Sequence, residues 1–148
     1  LFFVDIDHRS RLQIIFQYVR YHPEATFRIV KTNKGFHAFL TSYPIPYGDC
    51  FPLAQRLCAD SCHLLSVLHR GYSVRVNKKL KDETPYREVF KVGKAEECPR
   101  LLNLYLKHLS LYNDNSKINC PLYLHQGTAA VDILEKEGPL GNKIKIKD

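Results

Sequence analysis

The sequence predicts an α+β domain with helices packed on one face of an antiparallel sheet. Three observations predict it. Several short runs alternate apolar with polar residues, the period of a half-buried strand. Two longer segments between them carry apolar residues at helical spacing. The runs and segments follow in the order strand, helix, strand, strand, helix, strand, and the middle two strands are joined by turn residues. With 148 residues, 45% of them hydrophobic, the chain can bury one sizeable core.

Leu1-Phe2-Phe3-Val4-Asp5-Ile6-Asp7-His8 opens as a strand. Side chains two apart share a face, so Val4 and Ile6 enter the core while Asp5 and Asp7 stand together on the other side. Residues 9–21 form an amphipathic helix on Leu12, Ile15, Phe16 and Val19, with Ser10 as candidate N-cap and Pro23 as terminator. In residues 26–31, Phe27 and Ile29 face one way and Arg28 and Val30 the other. Asn33-Lys34-Gly35 is turn chemistry, with Gly35 available for positive φ. The returning strand, 35–41, puts Phe36, Ala38 and Leu40 on one face and His37, Phe39 and Thr41 on the other.

Pro44, Pro46 and Gly48 mark a loop, and Asp49 is a candidate cap for one helix over roughly 51–69. Its buried side is Ala54, Leu57, Cys58, Ser61, Leu64, Leu65 and Leu68, and Gly71 closes it. Residues 72–77 alternate, with Tyr72, Val74 and Val76 inward and Ser73, Arg75 and Asn77 outward. A charged loop, Lys78 to Pro85, leads to a fifth strand at 86–92. Pro99 starts a third helix running to about Tyr112, with Leu101, Leu102, Tyr105 and Leu109 inward. Residues 118–125 read as extended, Thr128–Lys136 as a short helix, and Lys143–Lys147 alternates Lys with Ile. The expected organisation is a core at 1–112 and a C-terminal extension at 113–148 packed on it.

The net charge of +7 suits a polyanionic partner as well as ordinary solubility. Five scattered cysteines, Cys50, Cys58, Cys62, Cys98 and Cys120, fit reduced thiols in an intracellular setting, nuclear or cytoplasmic. Cys58, Cys62 and His63 lack the paired spacing of a zinc site and read as core residues of a helix. No apolar run approaches the roughly 20 residues of a membrane helix, so no membrane is expected as partner. The chain begins inside a strand without Met, which suggests part of a longer polypeptide.

The element order is that of the ferredoxin-like (RRM-like) βαββαβ fold, with two helices on one face of a four-stranded sheet. In that topology the strands at 1–6 and 35–41 are neighbours, and the strand at 72–77 lies on the other side of the first. Asp5, Asp7, His37 and Arg75 then converge on the face away from the helices, with Arg28 and Phe39. Two carboxylates a few ångströms apart repel unless a cation lies between them, and hard ions such as Mg²⁺ or Mn²⁺ prefer oxygen ligands. Asp5 and Asp7 are therefore the candidate metal ligands, and His37 and Arg75 candidate donors to phosphate oxygens. Lys31, Lys34, Lys78, Lys79, Lys81 and Lys91 outline a path for a polyanion. Against these stand plainer readings: an acidic strand face, a surface histidine, lysines that solvate a loop, and Arg75 as a cross-strand partner that replaces the metal.

Phe2-Phe3-Val4-Asp5-Ile6-Asp7 resembles the first motif of the archaeo-eukaryotic primase and primase-polymerase superfamily, a hydrophobic strand ending in acid-x-acid. Thr32-Asn33-Lys34-Gly35-Phe36-His37 is similar to its second, a small polar residue or Gly shortly before a strand His. The third motif, an Asp on a later strand, has no counterpart, since Tyr72 to Asn77 offers Arg75 and Asn77 instead; Asp82 in the next loop is a substitute candidate. The resemblance spans roughly residues 1–92. It implies a ferredoxin-like catalytic core, Asp5 and Asp7 as catalytic metal ligands, and His37 on the phosphates of an incoming nucleotide. Lys34, Arg75 and Lys78 would join His37 in nucleotide binding. The expected activity is metal-dependent nucleotidyl transfer with nucleoside triphosphates on single-stranded DNA or RNA, within a replication complex, viral and mobile-element origins included. The main alternative is an inactive RRM-like module that binds nucleic acid, because Lys34-Gly35-Phe36 also begins like that domain's central motif. A nucleotidyl cyclase or a nicking nuclease on the same sheet is a further alternative.

Overall fold

A computed structural model describes residues 1–70, 73–75, 85–114 and 123–125. In chain order they form β1 (Phe2–Ile6), a 3₁₀ turn (Arg9–Arg11), α1 (Leu12–Tyr21), β2 (Phe27–Lys31), β3 (Phe36–Leu40), α2 (Tyr47–Arg56), α3 (Ser61–Arg70), β4 (Ser73–Arg75), β5 (Arg87–Val92), α4 (Pro99–Asp114) and β6 (Tyr123–His125). This is a mixed α+β architecture built on a four-stranded antiparallel sheet of order β1-β3-β2-β5, with a separate antiparallel pair, β4 and β6. The segments expected at 128–136 and 143–147 lie outside the described residues.

The alternating pattern decides the sheet's two faces. Phe2 and Leu40 are Cα partners, as are Val4 and Ala38, and Ile6 and Phe36. On β2, Phe27 and Ile29 continue that face. All eight side chains are buried, six of them with no exposed surface. α1 covers this face: Leu12 and Ile15 are buried and Tyr18 meets Phe27 edge-on at 6.1 Å. At roughly 25 cal/mol per Å² of apolar surface removed from water, this layer is the main source of stability. Ser10 lies inside the 3₁₀ turn and not at the cap of α1, which is Arg11 without a side-chain bond. Asp49 likewise sits in the first turn of α2, whose N-cap is Pro46, held extended by its ring.

Two expectations about the second half are corrected. The strand at 72–77 was expected beside β1. Its described part, β4, pairs with β6, from the segment expected as a C-terminal extension, and β5 takes the fourth place in the sheet beside β2. Alternation marks a strand but not its partner; here opposite charges help select it. Arg28 of β2 reaches Glu88 of β5 at 3.1 Å, and makes a two-pronged bond to Glu97 just beyond β5, at 2.6 and 2.7 Å. The face opposite α1 was also expected to be open. α4 lies across it instead: Phe39, with no exposed surface, packs against Tyr105 at 5.1 Å and His108 at 5.2 Å.

The single helix expected over 51–69 is two. Cys58 adopts φ 57° and ends α2, its N–H bonding Gln55 O while Ala59 N–H bonds Ala54 O. This left-handed C-cap geometry is normally left to Gly because a Cβ there costs roughly 1 kcal/mol. Asp60 then caps α3, its Oδ2 accepting from the N–H groups of Cys62 at 3.0 Å and His63 at 3.2 Å. Asp60 N–H donates to Asp5 O of β1 at 2.8 Å, which pins the start of α3 to the first strand.

The charged cluster under α4 sets an acid limit on stability. The Arg28 guanidinium holds the Glu97 carboxyl down at about 2 against partial burial, with help from the Thr41 hydroxyl. Burial pushes the His108 ring down to about 3, so it enters the fold neutral. Each folded value is depressed, so each contribution is complete above the unfolded value and lost as pH falls through the folded one. Stability is expected to decline from about pH 6.5 as the unfolded chain protonates His108, and further below about pH 4.5 through Glu97. Thermal melts between pH 7 and 3 should show a loss of about 2 kcal/mol or more. A flat profile to pH 4 would refute the neutral buried histidine.

Candidate functional site

Asp5 and His37 are Cα partners across β1 and β3. Partners in an antiparallel pair point to the same side, so the carboxylate and the imidazole leave the sheet together. His37 Nε2 lies 3.8 Å from Asp5 Oδ1, and the Asp5 side chain is 36% exposed. Asp7, one residue past the end of β1, is exposed. The register alone brings Asp5 and His37 together, and Asp7 follows just beyond the paired residues.

Gly35 makes that register attainable. A Cβ at position 35 would collide with the Ile6 carbonyl oxygen and lie 2.9 Å from Asp7 O. Its role is close approach and not a positive φ, which among the described glycines occurs at Gly93. The turn is closed by Thr32, whose N–H donates to Gly35 O and whose Oγ1 accepts from Gly35 N–H, both at 2.9 Å.

A third carboxylate joins the pair from the break between α2 and α3. The nearby Asp60 carboxyl raises the Asp7 pKa, chiefly by side-chain hydrogen bonding to its protonated form, with slight desolvation and the charges of Asp60 and Asp5 acting the same way. His63, from the first turn of α3, packs edge-on against Phe3 at 5.0 Å. Burial lowers its pKa, and Asp5 opposes that. Sequence reasoning missed Asp60. The available signal was Asp60-Ser61, two good capping residues ahead of Leu64 and Leu65, hidden inside an unbroken helical pattern.

The other expected site residues are not gathered here. Lys34 is exposed on the turn between β2 and β3. Arg75 ends β4, whose partner is β6 and not β1, and its side chain lies outside the described residues, as do Lys78 and Asp82. Among the described residues, no group of three or more His, Cys, Asp and Glu side chains is drawn together as a ready metal cage. That excludes a closed zinc-type arrangement of Cys58, Cys62 and His63 as they are placed.

Asp60→Asn separates a cation site from a merely crowded acidic edge. Asn caps a helix as well as Asp does, so α3 should keep its start. Asp7 carries a raised folded pKa, so its cost to stability is absent below the ordinary carboxylate range and appears as pH rises through the folded value. Removing the Asp60 charge is expected to raise the ion-free stability at neutral pH by roughly half a kcal/mol. If the acids hold a cation, the variant should also be stabilised less by Mn²⁺ than the wild type. Melts with and without Mn²⁺ check both signs; a variant stabilised by Mn²⁺ as much as wild type removes Asp60 from the site.

No family model, curated protein or solved structure matches the chain. Among the described residues, no helix is long and apolar enough to cross a membrane.

Proposed function

We propose that this chain is the catalytic core of a metal-dependent nucleotidyltransferase of the primase and primase-polymerase type. It would join nucleoside triphosphates along single-stranded DNA or RNA. The observation that carries the reading is the β1–β3 register, which sets Asp5 opposite His37 while Asp7 meets Asp60 at the strand's end. The succession β1-α1-β2-β3, with β1 and β3 adjacent, is shared with a ferredoxin-like core, while the fourth strand differs, because β5 pairs with β2 and leaves β1 at the sheet edge.

In this reading Asp5 and Asp7 hold Mg²⁺ or Mn²⁺, with Asp60 beside them as a third carboxylate. The ion supplies charge neutralisation for the phosphates and a lower pKa for the attacking hydroxyl. His37 donates from Nε2 to a phosphate oxygen, and Lys34 on the adjoining turn adds positive charge for the triphosphate tail. Arg75 and Lys78 are proposed as further phosphate contacts. The inactive RRM-like alternative has less support, because Phe39, the aromatic expected to stack bases, is buried beneath α4.

The test is incorporation of labelled nucleotide on a single-stranded template while Mn²⁺ or Mg²⁺ is titrated. The expected outcome is product that requires the ion and disappears with chelator. No product, with single-strand binding indifferent to chelator, would sink the enzyme reading in favour of the binding module.

A further inference from the structure

Behind His37 runs a hydrogen-bond chain that the site chemistry above does not use. His37 Nδ1 lies 2.7 Å from the Tyr86 hydroxyl, and that hydroxyl lies 2.9 Å from His108 Nε2. Tyr86 is 3% exposed and His108 2%. Tyr86 is clamped in place: its ring stacks on Tyr112 at 4.0 Å, and its carbonyl accepts from Asn113 Nδ2 at 2.9 Å. The residues that hold it, His108, Tyr112 and Asn113, all belong to α4.

A hydroxyl has a single proton, so Tyr86 can donate to only one of its two imidazole neighbours and must accept from the other. His108 decides which. Its Nδ1 is buried without a hydrogen-bond partner among the described residues. A buried N–H left without an acceptor is rarer and costlier in proteins than a buried lone pair left without a donor. The His108 proton therefore belongs on Nε2, where it is donated to the Tyr86 oxygen. Tyr86 O–H must then donate to His37 Nδ1. A neutral His37 whose Nδ1 accepts carries its proton on Nε2, the nitrogen that faces Asp5. The depressed pKa of His108 agrees with a ring that stays neutral in this role.

We infer that Tyr86 and His108 are positioning residues that fix the tautomer and aim of His37, presenting its Nε2–H toward the acidic group at the ends of β1 and α3. The purpose given to that donor, a phosphate oxygen of a nucleotide, rests on the nucleotidyltransferase reading; the order of donors in the chain does not.

Long-range ¹H–¹⁵N spectra of the whole labelled chain, at about pH 8 where imidazoles are neutral, read the tautomers directly. Both His37 and His108 are expected as Nε2–H forms, with the Nδ1 resonance of His37 displaced in the direction of an accepted hydrogen bond. An Nδ1–H form at either ring overturns the inference. Tyr86→Phe keeps the stacked ring and deletes both hydrogen bonds. It should return the His37 Nδ1 signal to that of an unbonded ring nitrogen while amide signals of α1 stay in place. An unchanged His37 signal in a folded Tyr86→Phe protein also overturns it. The wild-type spectrum decides even if that variant does not fold. Because no nucleotide is added, failure of the incorporation assay would leave this result standing, and failure here would leave that assay's result untouched.

Discussion

Asp5→Asn is expected to reduce metal-dependent nucleotide incorporation at least a hundredfold while leaving the fold intact, and Asp7→Asn to do the same. Each change removes a formal charge and an anionic oxygen ligand but keeps the side chain's shape. Loss of charge stabilisation of several kcal/mol at a metal-assisted phosphoryl centre corresponds to about a hundredfold or more in rate. The fold should tolerate the change because Asp5 is 36% exposed and Asp7 lies at the surface, where lost ion pairs cost roughly 0–1 kcal/mol. The measurement is incorporation rate beside thermal stability for each variant. Lys34→Ala is the control: an exposed cation at the rim should change the rate only a few-fold and weaken with added salt. Wild-type activity in Asp5→Asn would remove the acid pair from the chemistry, whatever the assay's metal dependence.

Gly35→Ala carries the largest expected effect on the fold. The added methyl would occupy the position of the Ile6 carbonyl oxygen, with Asp7 O at 2.9 Å. Backbone atoms on two paired strands cannot yield as a side-chain tip can, so the start of β3 must move away from the end of β1. Ile6↔Phe36 and Asp5↔His37 are the Cα pairs nearest that point. A destabilisation of about 2–4 kcal/mol is expected from chemical denaturation. Any folded fraction should show His37 displaced from Asp5 and reduced incorporation. Stability within about 0.5 kcal/mol of wild type would mean that the turn does not press against β1 as described.

Both predictions concern residues legible in the sequence, and the reason is periodicity. Alternation at Val4-Asp5-Ile6-Asp7 and Phe36-His37-Ala38 fixes which side of a strand each residue takes, and a short turn between β2 and β3 makes those strands neighbours. Helical spacing marks Leu12 and Ile15 of α1 and Leu101 and Tyr105 of α4 correctly, but Phe16 is 45% exposed, and α4 buries Leu104, His108, Leu111 and Tyr112 beyond the residues expected. Elsewhere the local pattern had no means of deciding. Nothing in Ala54 to Leu68 contains Gly or Pro, so the stretch reads as one helix. The chain instead turns at Cys58, spending roughly 1 kcal/mol on a left-handed residue.

What the sequence determined by itself is the local grammar: an α+β chain, a hairpin from β2 to β3, and an acid, Asp5, on one sheet face with an imidazole, His37. Tertiary structure decided the partners. It made β5 the fourth strand of the sheet, beside β2 and not beside β1, where Arg28 finds Glu88 and Glu97. It laid α4 over a face expected to be open, burying Phe39 and setting Tyr86 and His108 behind His37. It brought Asp60 to Asp7 through a backbone bond to Asp5 O. The physical reason is range. Side-chain direction is set by dihedral angles within a few residues, whereas strand order, helix docking and the meeting of Asp60 with Asp7 depend on contacts between residues tens of positions apart. No local period encodes those contacts.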